Sequence, residues 1–360
     1  MNTHYSINIS IEKIKNPYNG LGQFSIAFKN YFTEYTPSNY QLQFLYESYN
    51  EVLKDTETVK YQKANILQQF FQICNQKFDI WHSLHQFPKY LPSSKSLHIL
   101  TVHDLNFLIE KSKQKQQKYL KKLQKNIDGA AVITAISNYT KEQIEKHIKL
   151  KNKQIYVIHN GVELKKPDKE KPIKALLNTK FFFSIGVFQS KKNFHTLVEM
   201  LPFLKNHTLV IAGDHDTEYG KKIKMMINTL NFNQNVLLLG TVDFAEKYWL
   251  YQNCEAFLFP SLAEGFGMPV IEAMLCKKPV FLNPATSLIE IGGDAGFYFP
   301  SFEPVLMAQF IENKMQLFDE NKVFHENQLL KQAEKFSWEI AIKKYLNLYQ
   351  QVLNEKDNKL

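Results

Sequence analysis

Short apolar runs alternate with stretches of helical periodicity along almost the whole chain, a pattern that predicts β/α units wound into parallel sheets. Tyr5, Ile7, Ile9 and Ile11 fall on one side of a strand over residues 5–11. A turn-rich loop over 16–24 follows, then a helix with Leu21, Phe24, Ala27, Phe28 and Tyr31 on one face. Further strands are expected over 41–46, 78–84, 96–102, 130–136 and 155–159, with helices over 58–74, through a lysine-rich stretch and from Thr140. Residues 163–174, with Pro167, Pro172 and several charges, read as a linker. Strands then recur over 181–187, 209–213, 236–240, 254–259, 279–282 and 297–300. Helices are expected from Asn193, over 220–230, from Asp243, from Met268 and, as one long element, over 328–353. The fold class is α/β, with two doubly wound Rossmann-like domains. Ligands of such sheets sit beyond the carboxyl ends of the strands, so the chemistry belongs at strand exits.

A length of 360 residues suits two domains, and a hydrophobic fraction of 44% excludes disordered and fibrous classes. The chain contains no arginine: all 44 basic side chains are lysine, against 35 acidic ones. Any phosphate site must therefore use lysine point charges, backbone N–H groups and helix termini instead of a bidentate guanidinium. Lysines are densest at Lys111, Lys113, Lys115, Lys118, Lys121, Lys122 and Lys125. On a helix Lys111, Lys115, Lys118, Lys122 and Lys125 share one face, which is either a solvated surface or an attraction to an anionic membrane. No nucleic-acid partner is expected. Cys74, Cys254 and Cys276 are scattered, the first ten residues lack a leader pattern, and no run approaches a membrane span, so a cytoplasmic protein is expected.

The densest chemistry follows the apolar run over 254–259. Pro260-Ser261 end that run, Glu264-Gly265-Phe266-Gly267 make a glycine-rich turn, and Met268-Pro269 open a helix containing Glu272-Ala273-Met274. The turn's N–H groups can face an anion, and the two carboxylates can address opposite ends of a ligand lying over the helix start.

Glu264 and Glu272, with seven residues between them in this setting, resemble the E-x7-E signature of the retaining glycosyltransferases of family 4. That resemblance implies the GT-B architecture, two Rossmann-like domains facing a cleft. It places an N-terminal acceptor-side domain at 1–165, a nucleotide-sugar-binding domain at 166–335 and a terminal helix, 336–360, crossing back to the first domain. It also implies that Glu272 accepts the ribose hydroxyls and that Glu264 addresses the transferred sugar. Gly186, followed by Gln189-Ser190-Lys191-Lys192-Asn193, resembles the family's diphosphate loop, with Lys192 as the neutralising lysine. Many relatives carry an arginine where this chain has Val187; either Lys191 replaces it or the Gly267-Met268 helix start carries more charge.

The loop with Gly20 and Gly22 resembles the glycine-rich loop that approaches the donor diphosphate, and Val102-His103-Asp104-Leu105 resembles a run in mannosyltransferase-like members, placing His103 near the donor sugar. Thr241 and Val242 are assigned to flank the base, and Thr286-Ser287-Leu288 the diphosphate or sugar. His82 and His85 have a spacing open to metal binding, but no further ligands join them, so a satisfied or ligand-contacting role is favoured. No Asp-x-Asp motif that would bind a divalent ion beside the diphosphate is seen, so metal-independent transfer without a cofactor is expected. The implied reaction moves a hexose, with retention, from a nucleotide-diphosphate sugar to a glycan or lipid-linked acceptor. GDP-mannose is the favoured donor and a UDP-sugar the other. A nucleotide-sugar epimerase or hydrolase on the same fold, or a non-catalytic sugar-binding module, are the competing readings.

Overall fold

The structure, a computed structural model, describes residues 4–16, 19–49, 53–65, 68, 76–93, 95–204, 207–232 and 234–358. The chain divides into two compact units: Met1–Gly161 together with Ser337–Leu360, and Val162–Phe336.

The first unit holds a parallel sheet of seven strands: β1 (Tyr5–Ser10), β2 (Tyr40–Tyr46), β3 (Val59–Lys63), β4 (Ile80–Ser83), β5 (Leu97–Val102), β6 (Val132–Ala135) and β7 (Ile155–Val157). Their order is β3-β2-β1-β4-β5-β6-β7, so the winding reverses between β1 and β4. Every residue of β4 is buried, as expected for a strand covered on both faces. Phe24, Phe28 and Phe32 of helix Gly20–Glu34 join the inward residues of β1 and β2 in one core. That core is completed by Trp338, Ile342, Tyr345, Tyr349 and Leu353 of the last helix, Trp338–Asp357. Gly161 lies against this helix so closely that a Cβ there would stand 2.4 Å from the Trp338 ring.

The second unit holds a parallel six-stranded sheet: β8 (Phe181–Ile185), β9 (Thr208–Ala212), β10 (Val236–Gly240), β11 (Ala256–Phe259), β12 (Val280–Leu282) and β13 (Phe297–Tyr298). The order β10-β9-β8-β11-β12-β13 reverses its winding between β8 and β11.

Three expectations are corrected. Residues 59–63, assigned to a helix over 58–74, form β3, because Val59 pairs with Leu42 and extends the sheet edge; most of the remaining helix, with Cys74, lies outside the described residues. The long helix over 328–353 is two helices, Lys322–Glu334 and Trp338–Asp357. Ser337 separates them, its Oγ accepting the Ile340 N–H at 3.3 Å and starting a new helix. Helix Pro304–Glu320 was not anticipated. Its signal was legible in Glu303-Pro304, since the Glu303 carboxylate accepts the Val305 and Leu306 N–H groups and Pro304 occupies the first turn.

Candidate active site

The reversal between β8 and β11 opens a crevice at their carboxyl ends, and the chain after each strand supplies it with charge. After β8 the backbone turns at Gly186 (φ 154°), runs through a 3₁₀ turn, Ser190–Lys192, and passes left-handed Asn193 (φ 57°) into helix Phe194–Met200. The positive φ of Gly186 disfavours a side chain there, and a Cβ would push on Lys192 Cε at 2.8 Å, displacing the lysine from its place. Lys192 thus folds back over the strand ends, its Nζ 4.7 Å from the Phe259 ring centroid and 2.6 Å from Glu264 Oε1.

After β11, the Ser261 hydroxyl donates to Glu264 Oε1 at 2.6 Å, and the Leu262 N–H donates to the Lys191 carbonyl at 2.7 Å, tying the two strand exits together. The Glu264 N–H donates to Thr286 Oγ1 at 3.3 Å. The Ser287 hydroxyl reaches the carbonyls of Glu264 (3.0 Å) and Phe266 (2.6 Å). Thr286 itself sits at φ 59°, a backbone conformation strained for a β-branched residue. Burial pushes the Glu264 carboxyl up, but the charges of Lys192 and Lys191, with hydrogen bonds from Lys192 and Ser261, outweigh it and hold the group below its ordinary value. Glu264 is therefore a fixed carboxylate.

Gly267 (φ 124°) makes the turn into helix Met268–Leu275, whose first turn carries Pro269. The positive end of that helix lies beside Glu264. Phe266 is buried edge-on against Phe336, with ring centroids 5.7 Å apart. Glu272, in the same helix, has a separate cation: Lys247 Nζ lies 2.6 Å from Oε1, and the Tyr251 hydroxyl donates to Oε2 at 2.9 Å. Lys247 was not anticipated from the sequence. It is carried by helix Phe244–Asn253, whose start is a capping box: Asp243 Oδ1 accepts the N–H groups of Ala245 and Glu246, and Glu246 returns to the Asp243 N–H. The Asp243-x-x-Glu246 spacing was the available signal. Thr241 and Val242 lie in this same connection after β10, exposed and half-buried respectively.

The strand ends beside Gly186 are built from glycine as well. Gly213 (φ 134°) donates its N–H to the Gly240 carbonyl at 2.6 Å, and a Cβ on Gly213 would stand 2.0 Å from the Gly186 carbonyl oxygen. Gly213→Ala is expected to lower stability by about 2–4 kcal/mol, since backbone must move and φ is unfavourable, as urea unfolding would measure. The next residues, Asp214-His215-Asp216, do carry an Asp-x-Asp spacing. Both carboxylates are exposed and Asp214 Oδ1 accepts the Asp216 N–H at 2.9 Å, a local turn. Among the described residues no group of three or more His, Cys, Asp or Glu could hold a metal ion.

Gly20, Gly22 and His103 belong to the first unit. Asn19 caps helix Gly20–Glu34 by accepting the Gly22 N–H at 2.8 Å, and a Cβ on Gly22 would stand 1.9 Å from the Asn16 carbonyl oxygen. One turn on, Phe24 packs edge-on to His103, ring centroids 4.9 Å apart. His103 Nε2 lies 2.8 Å from the Leu84 carbonyl oxygen, an acceptor, so Nε2 carries the proton and Nδ1 is the free acceptor in the neutral ring. His82 serves the core: its nitrogens bond Tyr349 OH (2.6 Å) and Thr101 Oγ1 (2.7 Å).

Burial lowers His82 to about 3, and His98 and His103 to about 4. A histidine depressed on folding contributes stability that is full above its unfolded value of about 6.5 and is lost as pH falls toward the folded value. The first unit is accordingly expected to weaken progressively between about pH 6.5 and 3, read as a falling urea midpoint.

The lysine-rich helix spans Lys113–Gly129, with Leu123, Asn126 and Ile127 buried and Lys115, Lys118, Lys122 and Lys125 exposed. Lys111 is corrected: it ends the preceding short helix, Phe107–Glu110, and lies outside the basic one. No helix among the described residues is long and apolar enough to cross a membrane.

The chain matches the family described as "Glycosyl transferases group 1" over residues 165–327 and "Glycosyltransferase Family 4" over residues 55–166. It is 28% identical over 286 residues to "Uncharacterized glycosyltransferase MJ1178" of Methanocaldococcus jannaschii, covering 76% of each chain. It is 26% identical over 225 residues to "O-antigen chain mannosyltransferase RfbU" of Salmonella typhimurium, covering 61% of each. With "O-antigen chain mannosyltransferase B" of Escherichia coli the identity is 25% over 279 residues, 72% of each. Among solved structures, sucrose-phosphate synthase from Thermosynechococcus elongatus superposes with a TM-score of 0.77 at 15% identity, covering 98% of this chain and 100% of that one. Anabaena HepE in complex with UDP and glucose gives 0.72 at 16%, covering 97% and 100%. These structural likenesses establish the fold, and with the family matches they lead to one conclusion: the chain is a family-4-like glycosyltransferase with the GT-B fold of two Rossmann-like units.

Proposed function

We propose that this enzyme transfers a hexose, with retention of anomeric configuration, from a nucleoside-diphosphate sugar to a glycan or lipid-linked acceptor. The observation that carries the reading is the half-buried Lys192–Glu264 pair at the β8/β11 crevice, beside a helix N-terminus. Cleavage of the glycosyl–phosphate bond leaves negative charge on the diphosphate, and fixed positive groups aimed at that charge supply the largest stabilising term. Lys192 is in place to leave Glu264 for the diphosphate, with Lys191 and the helix start beside it. Glu264 then accepts hydroxyls of the sugar, while Glu272 takes those of the ribose. The acceptor hydroxyl attacks the sugar carbon from the face the diphosphate leaves, and its proton passes to the departing phosphate oxygen. His103, neutral at physiological pH, keeps Nδ1 as an acceptor and is the first unit's candidate for a catalytic role.

GDP-mannose is the favoured donor because two of the relatives are named mannosyltransferases; a UDP-sugar is the alternative. Transfer is proposed to need no metal, and full activity in EDTA would support this, whereas loss restored by magnesium would refute it. Acceptor-dependent release of nucleoside diphosphate, with the anomer of the product read by NMR, tests transfer and retention together.

The enzyme is further proposed to be cytoplasmic and to meet an anionic membrane through the lysine-rich segment 111–125. It is expected to sediment with phosphatidylglycerol-containing vesicles and not with phosphatidylcholine ones, in a salt-sensitive way. Replacing Lys115, Lys118, Lys122 and Lys125 by glutamine should abolish this; undiminished sedimentation would rule the helix out.

A further inference from the structure

Tyr251 is fully buried, and its hydroxyl bonds to Glu272 Oε2 at 2.9 Å. Its ring is held on two sides of the strand pair that forms the crevice. It lies edge-on to Phe183 of β8, centroids 5.1 Å apart, and tilted against Phe257 of β11, 5.4 Å apart. Burial and the neighbouring Glu272 carboxylate both push its phenol well above the ordinary range, so the group is always a donor. The other oxygen of Glu272 is held differently. Lys247 Nζ, 2.6 Å from Oε1, belongs to a flexible side chain that retains 13% exposure. A four-carbon stem can swing aside, whereas a buried ring packed against both Phe183 and Phe257 cannot.

We infer that Tyr251 is a positioning residue for the nucleotide: it locks Glu272 in one orientation through Oε2 and leaves Oε1 as the exchangeable position, where a ribose hydroxyl of the donor replaces Lys247. The two oxygens of the carboxylate thereby have separate duties. One fixes the side chain to the sheet, and the other presents an acceptor to the nucleotide at a set height above the helix start. Without the Tyr251 hydroxyl the carboxylate can rotate, and part of the binding free energy goes into re-ordering it. Because the ribose is held alike in ground and transition states, the effect falls on donor binding and not on the chemical step.

The inference rests on the assignment of Glu272 to the ribose, and the test separates the two. Binding of GDP, UDP and ADP is measured by calorimetry on the full chain as wild type, Tyr251→Phe, Glu272→Gln and the double variant. Phenylalanine keeps the ring and its packing. Tyr251→Phe is expected to weaken the best-bound nucleotide about tenfold, the loss of one hydrogen bond to a charged group. It should also raise the donor KM while leaving kcat within about twofold. In the Glu272→Gln background the same substitution is expected to cause no further loss of affinity. Equal losses in both backgrounds, an unchanged affinity, or a Tyr251→Phe chain that fails to fold would each overturn the role of Tyr251 and leave the ribose assignment standing. A wild type that binds none of the three nucleotides would overturn both.

Discussion

Lys192→Ala is expected to lower the kcat of sugar transfer by about 10²–10³-fold, the loss that follows removal of one fixed group from a developing negative charge. The chain has no arginine to take over, so Lys192 is the principal cation at the crevice. Lys191→Ala is expected to have a smaller effect, because its contribution to Glu264 is through charge alone, while Lys192 also makes the 2.6 Å hydrogen bond. The substitution has a second signature. In the native protein Glu264 is held below its ordinary value, so its contribution to stability is full above the unfolded value of about 4.3 and is lost as pH falls through the folded value. In Lys192→Ala the main opposing charge is gone and burial governs, driving the carboxyl upward. The acid limb of unfolding should therefore move to higher pH, as chemical denaturation at pH 7 and pH 5 would show. A variant whose acid limb coincides with that of the wild type would mean that the pair is not held in solution.

Glu272→Ala is expected to reduce nucleotide affinity by about 10–100-fold and to lower stability by about 2–3 kcal/mol. Both consequences have one origin. The carboxylate is 8% exposed and satisfies two donors, Lys247 and Tyr251, that have no acceptor once it is removed. The stability figure is set below that for a fully buried pair because Lys247 can turn toward solvent. Glu264→Ala should behave in the opposite way, sparing nucleotide affinity and reducing transfer, because Glu264 addresses the sugar. Calorimetry of both variants beside the wild type distinguishes them; equal nucleotide affinity in all three proteins would refute the assignment of Glu272.

The winding of both sheets and most strands were legible in the sequence because fully buried parallel strands read as short apolar runs, as Ala256–Phe259 and Val280–Leu282 do. The expectation failed where local pattern and tertiary pairing diverge. Val59–Lys63 has only Val59 buried, so no apolar run announces an edge strand whose place is set by pairing with Leu42. At Phe336-Ser337-Trp338 the apolar spacing continues through a break that is set by the Ser337 cap. The site shows the same division. Glu264, Lys192 and the glycine turn are close in sequence to strand exits and could be named from the motif. The partners that fix them could not: Ser261 and Thr286 act from loops brought together by the sheet, and Lys247 and Tyr251 reach Glu272 from the helix after β10. A sequence of 360 residues records which side chains are capable of such bonds, and only the fold decides which of them meet.

The central claim is that the Lys192–Glu264 crevice binds a nucleoside-diphosphate sugar and passes its hexose to an acceptor hydroxyl. The most direct measurement is nucleoside diphosphate release from GDP-mannose, UDP-glucose and UDP-N-acetylglucosamine, with and without a mannose-terminated glycan, by wild type and Glu264→Ala. The account predicts release that depends on the glycan, is fastest with GDP-mannose and falls at least about 100-fold in the variant. Release that is independent of the glycan, or that proceeds equally in wild type and variant, would contradict it.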